Sequence, residues 1–228
     1  MRRVKPGVVL LLSIVLGGGH AAWAQPPNLG DLKTQLLQYV QSGDYDRELA
    51  EIAVEATTYV ESHAKYVAKP AIVLDIDETS LSNWPEIKVD DFGFILNGPC
   101  SNPPQGPCGN DAWTTLAAAA PITPTLRLFN DARSLGVAVF FITGRHESQR
   151  TATERNLARA GYAGWTALMM EPDDVHPKSA ADFKTPARAK VEALGYHIIA
   201  NVGDQPSDLD GGHADQTFQL PDPFYRIP

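Results

Sequence analysis

The sequence has very few cysteines and no apolar run long enough to cross a membrane. Cys100 and Cys108 are its only two cysteines, and because no paired Cys/His set lies near them, a four-ligand zinc site is the less favoured role for these thiols. A transmembrane helix needs about 18 or more apolar residues, but the apolar stretch at 8–16 ends at Gly17-Gly18-Gly19. Residues 25–228 also contain no internal repeat and no low-complexity tract. These absences argue against a membrane anchor and against a domain stabilised by a structural zinc site.

The N-terminal residues have the pattern of a secretory signal peptide. A basic start precedes the apolar stretch, and Ala22-Trp23-Ala24 then supplies a small-x-small cleavage site. We therefore expect residues 1–24 to be removed after Ala24, which leaves 25–228 as one domain in the periplasm or outside the cell. The residue directly after the cleavage site is Gln25 and not a cysteine, so we expect neither lipid attachment nor membrane association afterwards.

The charge balance is acidic. The formal net charge of −8 becomes −11 once the leader, with three basic and no acidic residues, is removed. A surface of this sign repels polyanions, so we do not expect a nucleic acid polymer as a partner. The 204 residues that remain are enough for one large domain with a substantial core.

Two carboxylates at the end of an apolar stretch are the most informative feature of the chain. Asp75 and Asp77 directly follow Ala-Ile-Val-Leu at 71–74. In an open α/β sheet, ligands bind beyond the carboxyl ends of the strands. Taken alone, these acids could simply end a buried strand and solvate a loop. If they serve one site, the chain must turn directly after Asp75, and Thr79 and Ser80 can begin that turn.

Three further segments favour an active site. Thr143-Gly144-Arg145 follows an apolar strand pattern at 137–142, and a threonine hydroxyl with turn amides can bind a phosphate oxygen. Lys184 offers a positive charge just ahead of a helix that Thr185 can cap and Pro186 can begin.

The last of the three segments is another apolar stretch that ends in carboxylates. Residues 196–202 lead to Asp204, and Asp208 follows four residues later. Hard oxygen ligands of this kind suit Mg²⁺.

These motifs, in this order, resemble the four motifs of the haloacid dehalogenase (HAD) superfamily. Motif one matches Asp75 and Asp77, motif two Thr143, motif three Lys184, and motif four Asp204 with Asp208. The wider segments, Asp-Ile-Asp-Glu-Thr-Ser-Leu-Ser-Asn and Val-Gly-Asp-Gln-Pro-Ser-Asp-Leu, are similar to the class B/C-type acid phosphatases of subfamily IIIB. That group includes bacterial secreted enzymes, plant acid phosphatases and vegetative storage proteins.

The resemblance implies a Mg²⁺-dependent acid phosphatase that forms an aspartyl-phosphate. Asp75 would be the nucleophile, and Asp77 would act first as general acid and then as general base. Thr143 and Gly144 would bind the phosphoryl group, and Lys184 would stabilise its charge.

The same resemblance gives the metal ligands. Mg²⁺ would be held by Asp75, by the backbone carbonyl of Asp77 and by Asp204, with Asp208 as a ligand or next to one. Arg145 and Arg188 are secondary candidates for substrate binding, and the histidines are expected to be structural or surface residues.

The expected substrate is a small phosphomonoester, such as a nucleotide, an aryl phosphate or a sugar phosphate. Two alternatives stay open: a phosphotransferase of the same fold, and a non-catalytic storage or binding protein. An oligomer is possible.

Residues 82–121, rich in Pro, Gly and Asn, are interpreted as a small cap inserted after the first strand. They lack a clear periodic pattern, which is typical of a functional loop. The turn-forming residues between Cys100 and Cys108 predict a disulfide in an oxidising compartment. The cap aromatics either pack within the cap, which we favour, or stack on an aromatic leaving group; these residues are Trp84, Phe92, Phe94 and Trp113.

Periodicity predicts an α/β fold with a parallel sheet and helices on both faces, and the resemblance implies that this fold is of the HAD (Rossmannoid) type. Helices are predicted at 28–42, from Asp44 as N-cap towards Pro70, from Thr123 to Gly136, at 147–160 and at 186–194. Strands are predicted at 71–74, 137–142, 167–170 and 196–202.

Overall fold

The computed structural model describes residues 25–175 and 177–227, and the predicted signal peptide at 1–24 lies outside them. The described residues form a five-stranded sheet in the order β5-β4-β1-β6-β7. All four strand pairs are parallel. The strands of this sheet are β1 Pro70–Leu74, β4 Ala138–His146, β5 Ala167–Glu171, β6 His197–Gly203 and β7 Gln216–Gln219.

Helices precede or connect these strands. Their bounds are α1 Leu29–Gln41, α2 Asp44–His63, α3 Trp84–Val89, α4 Asn110–Leu116, α5 Thr123–Ser134, α6 Arg150–Arg159, α7 Ala180–Ala193 and α8 Pro206–Leu209. A second, antiparallel ribbon consists of β2 Leu81–Ser82 and β3 Ala120–Pro121.

The central strand β1 is buried on both faces. Ile72 and Leu74 belong to a core with residues of α2, α5 and α6. Ala71 and Val73 point to the opposite face, where they pack with residues of α7. Because neighbouring side chains alternate between faces, a strand covered on both sides is apolar throughout. The predicted α/β class, with helices on both faces of a parallel sheet, is confirmed.

Two predicted helix starts are wrong. Helix α2 is N-capped by Gly43 with φ +80°, not by Asp44, which is already helical. Helix α7 begins at Ala180 with Ser179 as N-cap, and the Asp182 carboxylate accepts a hydrogen bond from the Ser179 amide (3.2 Å). Pro186 therefore lies inside the helix, and Lys184 lies within α7 instead of ahead of it.

The segment between β2 and β3 is more ordered than its composition predicts. It contains α3 and α4, joined by a loop in which Cys100 and Cys108 form the predicted disulfide. The antiparallel β2–β3 pair closes the base of this segment. Trp113 of α4 is 2% exposed, which fits the packing role favoured for the cap aromatics, whereas Phe94 is exposed.

Within 25–175 and 177–227, none of the helices combines the length and the apolar character that a bilayer span requires.

Candidate active site

Neighbouring strands of the sheet bring three of the sequence-predicted segments to one edge. Asp75 directly follows β1, Asp204 directly follows β6, and Thr143 lies near the end of β4. Strand β1 pairs with β4 on one side and with β6 on the other. Since parallel strands end at the same edge, residues from distant parts of the chain meet there.

The turn after β1 is fixed by local hydrogen bonds. The Asp75 amide still donates to the Val202 carbonyl (3.0 Å), as a strand residue would. Beyond it, the Ser80 amide donates to the Ile76 carbonyl (2.8 Å), and the Ser80 hydroxyl donates to the Asp75 carbonyl (2.6 Å). The chain therefore turns directly after Asp75, with Thr79 and Ser80 in the turn as predicted.

Three buried carboxylates converge at this edge. Asp75, Asp204 and Asp208 each offer an oxygen, and these oxygens all lie within 4.8 Å of one another. The three residues are 5%, 3% and 3% exposed, respectively. Asp204 is held by the Thr79 hydroxyl (2.9 Å) and by the Gln205 amide group (2.6 Å).

Lys184 joins this group from α7. Its Nζ donates to Oδ1 of Asp75 (2.6 Å) and to Oδ1 of Asp208. Burial alone would lower the pKa of Lys184, but the two carboxylates outweigh it and hold the pKa above its usual range. The side chain is therefore a fixed positive charge in the site.

One ammonium does not balance three carboxylates. Burial, with help from the Asp208 and Asp77 carboxylates, raises the pKa of Asp75 to about 7 despite Lys184. Burial and the carboxylates of Asp75 and Asp208 likewise raise the pKa of Asp204. The site thus has a surplus of negative charge in a low-dielectric environment, and the atoms that it offers as metal ligands are all oxygens. This donor set fits a hard divalent cation.

Asp77 has different partners. Its carboxylate lies outside the group of three that the described residues form and is paired instead with Arg145. The guanidinium donates from Nη2 to Oδ1 (2.6 Å) and from Nε to Oδ2 (3.0 Å). Although burial by itself raises the pKa of Asp77, Arg145 outweighs it and holds the pKa below its usual range. The side chain remains 32% exposed.

Thr143 and Gly144 lie beside this pair. Thr143 is fully buried, and its hydroxyl accepts a hydrogen bond from the Arg145 amide (3.1 Å), so it keeps its own hydrogen for another acceptor. Gly144 is exposed, and a Cβ at its position would meet no atom within 4 Å. Hydrogen bonds join Lys184 to Asp75 and Asp208, and Thr143 is linked to Asp77 through Arg145.

The two arginines that the sequence ranks as secondary candidates are both buried. Arg145 is 7% exposed and contacts Asp77, a contact that the same-face spacing of Thr143 and Arg145 on β4 could have indicated. Arg188 is 1% exposed. Its guanidinium donates to the carbonyls of Asp208 and Asp210 and to that of Gly212 (2.9 Å), so it fixes the loop that carries Asp208.

Comparison with known proteins identifies related chains. The family described as "HAD superfamily, subfamily IIIB (Acid phosphatase)" matches residues 20–228. The chain is 33% identical over 193 residues to the stem 28 kDa glycoprotein of Glycine max, and the match covers 83% of this chain and 72% of the relative. It is 31% identical over 192 residues to acid phosphatase 1 of Solanum lycopersicum, with the same coverage of 83% and 72%.

More distant relatives include a storage protein and a solved structure. Vegetative storage protein 2 of Arabidopsis thaliana is 26% identical over 205 residues, which is 89% of this chain and 73% of the relative. The structure of the class C acid phosphatase from Bacillus anthracis superposes with a TM-score of 0.67 at 21% identity, covering 86% of both chains. At this identity the superposition establishes the fold alone.

Proposed function

Since this chain belongs to subfamily IIIB of the HAD superfamily, the acid phosphatases, we propose that it hydrolyses small phosphomonoesters with Mg²⁺ through an aspartyl-phosphate on Asp75. One observation carries the proposal: the Asp75 carboxylate is buried against Lys184, Asp204 and Asp208 at the carboxyl edge of the sheet. This arrangement combines a nucleophile, a fixed cation and an oxygen-only metal site.

In the first half of the reaction, a carboxylate oxygen of Asp75 attacks phosphorus and the bond from phosphorus to the leaving oxygen breaks. Asp77, in its protonated form, transfers this proton to that oxygen, so the product leaves as a neutral alcohol or phenol and Asp77 becomes a carboxylate. In the second half, Asp77 takes a proton from water, which attacks the aspartyl-phosphate and releases inorganic phosphate. Asp75 is thereby restored.

The remaining residues bind the phosphoryl group and the metal. Lys184 compensates the charge that develops on the transferring group, and the Thr143 hydroxyl and the backbone at Gly144, which lies within β4, bind its oxygens.

Mg²⁺ would be held by the carboxylates of Asp75 and Asp204 and by the Asp77 carbonyl, with Asp208 as a ligand or next to one. When bound, the cation neutralises the phosphate and so lets two anions approach each other.

The proposal also covers the domain bounds and the place where the protein acts. Residues 25–228 form the phosphatase domain, and the 82–121 segment is its cap over the site. The leader at 1–24 directs it to the periplasm or outside the cell, where small phosphomonoesters are the substrates and a nucleic acid polymer is not.

The Arabidopsis vegetative storage protein among the relatives supports a second candidate function, storage without efficient catalysis. The intact set of Asp75, Asp77, Lys184 and Asp204 counts against it.

Phosphate release by purified 25–228 protein tests the proposal. We expect turnover of 4-nitrophenyl phosphate with Mg²⁺ and none with Asp75→Asn. A panel of nucleotides, sugar phosphates and aryl phosphates then defines the substrate class, and an added nucleoside or diol reveals any transfer to an alcohol. No turnover of any panel member by a folded, Mg²⁺-loaded protein would favour storage and overturn the proposal.

A further inference from the structure

Asn83, at the start of the cap segment, has hydrogen bonds in three directions. Its Nδ2 donates to Oδ1 of Asp77 (2.8 Å) and to Oε2 of Glu78 (3.0 Å). Its Oδ1 accepts from Nε1 of Trp113 (2.8 Å). The residue is 6% exposed. Both N–H donors of its amide group and one acceptor position of its oxygen are therefore used by protein partners.

These partners define which way the amide points. Carboxylates accept and an indole N–H only donates, so the Nδ2 side must face Asp77 and Glu78 and the Oδ1 side must face Trp113. Glu78 also accepts from the Asn83 amide (2.6 Å) and from the Tyr225 hydroxyl (3.0 Å). This second attachment holds Asn83 in place independently of Asp77.

The bond from Asn83 makes the two oxygens of Asp77 unequal. Oδ1 accepts from Asn83 and from Nε (3.2 Å) and Nη2 (2.6 Å) of Arg145. Oδ2 accepts from the Arg145 Nε alone among the described residues. Asn83 and Arg145 thus both donate to Oδ1, and together they restrain the orientation of the carboxylate.

We propose that Asn83 is a positioning residue for Asp77, and that Trp113 of the cap acts on Asp77 through Asn83. The inference rests on the proposed role of Asp77 in proton transfer. Arg145 alone already engages both oxygens of Asp77, through Nε and Nη2. The Asn83 donor binds Oδ1 only and adds to this restraint, so Oδ2 has the fewer hydrogen bonds and is the oxygen we assign to proton transfer. Since α4 carries Trp113, the cap contributes to this alignment.

The dependence of kcat/KM on the leaving group tests the positioning role. Phosphoryl transfer to Asp75 from an alkyl phosphate requires proton donation, whereas transfer from 4-nitrophenyl phosphate hardly does. We expect Asn83→Ala to lower kcat/KM by about 10- to 100-fold for glycerol phosphate and by less than about 3-fold for 4-nitrophenyl phosphate. A purely structural role would lower both values together.

Asn156→Ala is the matched control. Asn156 is also buried, at 2% exposure, and holds the cap base through the carbonyl (2.7 Å) and amide (3.2 Å) of Ala119. It has no carboxylate partner among the described residues, so its removal should change both substrates by the same factor.

A double-mutant cycle tests whether Trp113 of the cap acts on Asp77 through Asn83. Trp113→Phe keeps a large ring and removes the N–H donor, and we expect it to lower kcat/KM for glycerol phosphate by about 3- to 10-fold in the parent. The same change in the Asn83→Ala background should have no further effect. This milder variant also keeps the test usable if Asn83→Ala does not fold.

The positioning role and the proposed function fail under different results. With Asp77→Asn impaired, equal losses for both substrates would overturn the positioning role of Asn83, and full additivity of Trp113→Phe with Asn83→Ala would overturn the action of Trp113 through Asn83. If Asp77→Asn itself hydrolyses glycerol phosphate at the parent rate, the proposed function of Asp77 is wrong. If Asp77→Asn is impaired, the double variant Asp77→Asn with Asn83→Ala should show the same ratio of kcat/KM between the two substrates as Asp77→Asn alone.

Discussion

The ammonium of Lys184 lies 2.6 Å from the carboxylate of Asp75, although 109 residues separate them in the chain. The same ammonium also donates to Asp208. One buried cation therefore links the end of β1, helix α7 and helix α8. Removing one partner of a buried ion pair leaves the other charge uncompensated, which costs far more than the pair contributes.

Replacing this lysine should therefore affect stability as well as activity. Without metal at neutral pH, Lys184→Met should lower the free energy of unfolding by about 3–5 kcal/mol, and with Mg²⁺ it should lower kcat by about 100-fold or more. Urea unfolding and phosphate release measure the two effects. Lys190→Met, an exposed substitution on the same helix, is the control. Parent-like values for both quantities in Lys184→Met would contradict the arrangement.

Metal binding should be visible without any catalytic assay. Adding Mg²⁺ to EDTA-treated protein should stabilise the native state by about 2.7 kcal/mol at one hundred times Kd, which is a shift of several degrees in the unfolding temperature. Asp204→Asn should abolish the shift because it removes a carboxylate of the buried group. Asp210→Asn, an exposed neighbour, should keep it. If Mg²⁺ does not change the unfolding temperature and the protein is fully active in EDTA, the proposed metal site is wrong.

Glu86 on α3 should make the stability of the protein fall as the pH rises. Burial raises its pKa to about 7 from 4.5, and the hydrogen bond from Asn110 offsets only part of this. The folded protein thus binds this proton more tightly than the unfolded chain does. The contribution of protonated Glu86 to the free energy of unfolding is complete below about pH 4.5 and is lost as the pH rises towards about 7.

Glu86→Gln should consequently leave stability unchanged near pH 4 and raise it by about 1–2 kcal/mol at pH 8, after allowance for solvent screening. Urea titrations at the two pH values check this difference. The exposed variant Glu55→Gln should show no such dependence, and an equal effect of Glu86→Gln at both pH values would refute a raised pKa of Glu86 as the cause.

The Cys100–Cys108 disulfide should stabilise the cap segment. In exported protein, iodoacetamide should modify neither cysteine until a reductant is added. Replacing both cysteines by serine should lower the free energy of unfolding by about 2–3 kcal/mol, as expected for a short loop. Thiols that react without reduction would disprove the link.

The strand ends could be predicted from the sequence because their signal is local. The apolar stretches before Asp75 and Asp204 define strands that are buried on both faces, and a parallel sheet then brings their ends together. Strand β7 has no such signal: only Phe218 of its four residues is buried, so an edge strand built mainly from polar residues escapes a periodicity search.

The start of α7 could not be predicted because local rules conflicted. Pro186 favours the first turn of a helix, but Ser179 and Asp182 provide an earlier cap, and the packing of Ala187 and Val191 against the sheet outweighs the internal proline. The Arg145–Asp77 and Asn83–Trp113 contacts join residues 68 and 30 positions apart. The spacing on β4 places Arg145 on the same face as Thr143, but the Asn83–Trp113 pairing has no local sequence signal, since only the folded chain brings these two residues together.

The division of labour between Asp75 and Asp77 is the central claim, and rapid-quench kinetics with 4-nitrophenyl phosphate test it most directly. The first step hardly needs an acid with this substrate, whereas hydrolysis of the aspartyl-phosphate still needs a base. Asp77→Asn should release a burst of 4-nitrophenol, at most stoichiometric with enzyme, and then stall with phosphate on Asp75. Asp75→Asn should give no burst. Steady turnover of Asp77→Asn near the parent rate, or trapped phosphate on any other residue, would contradict the account.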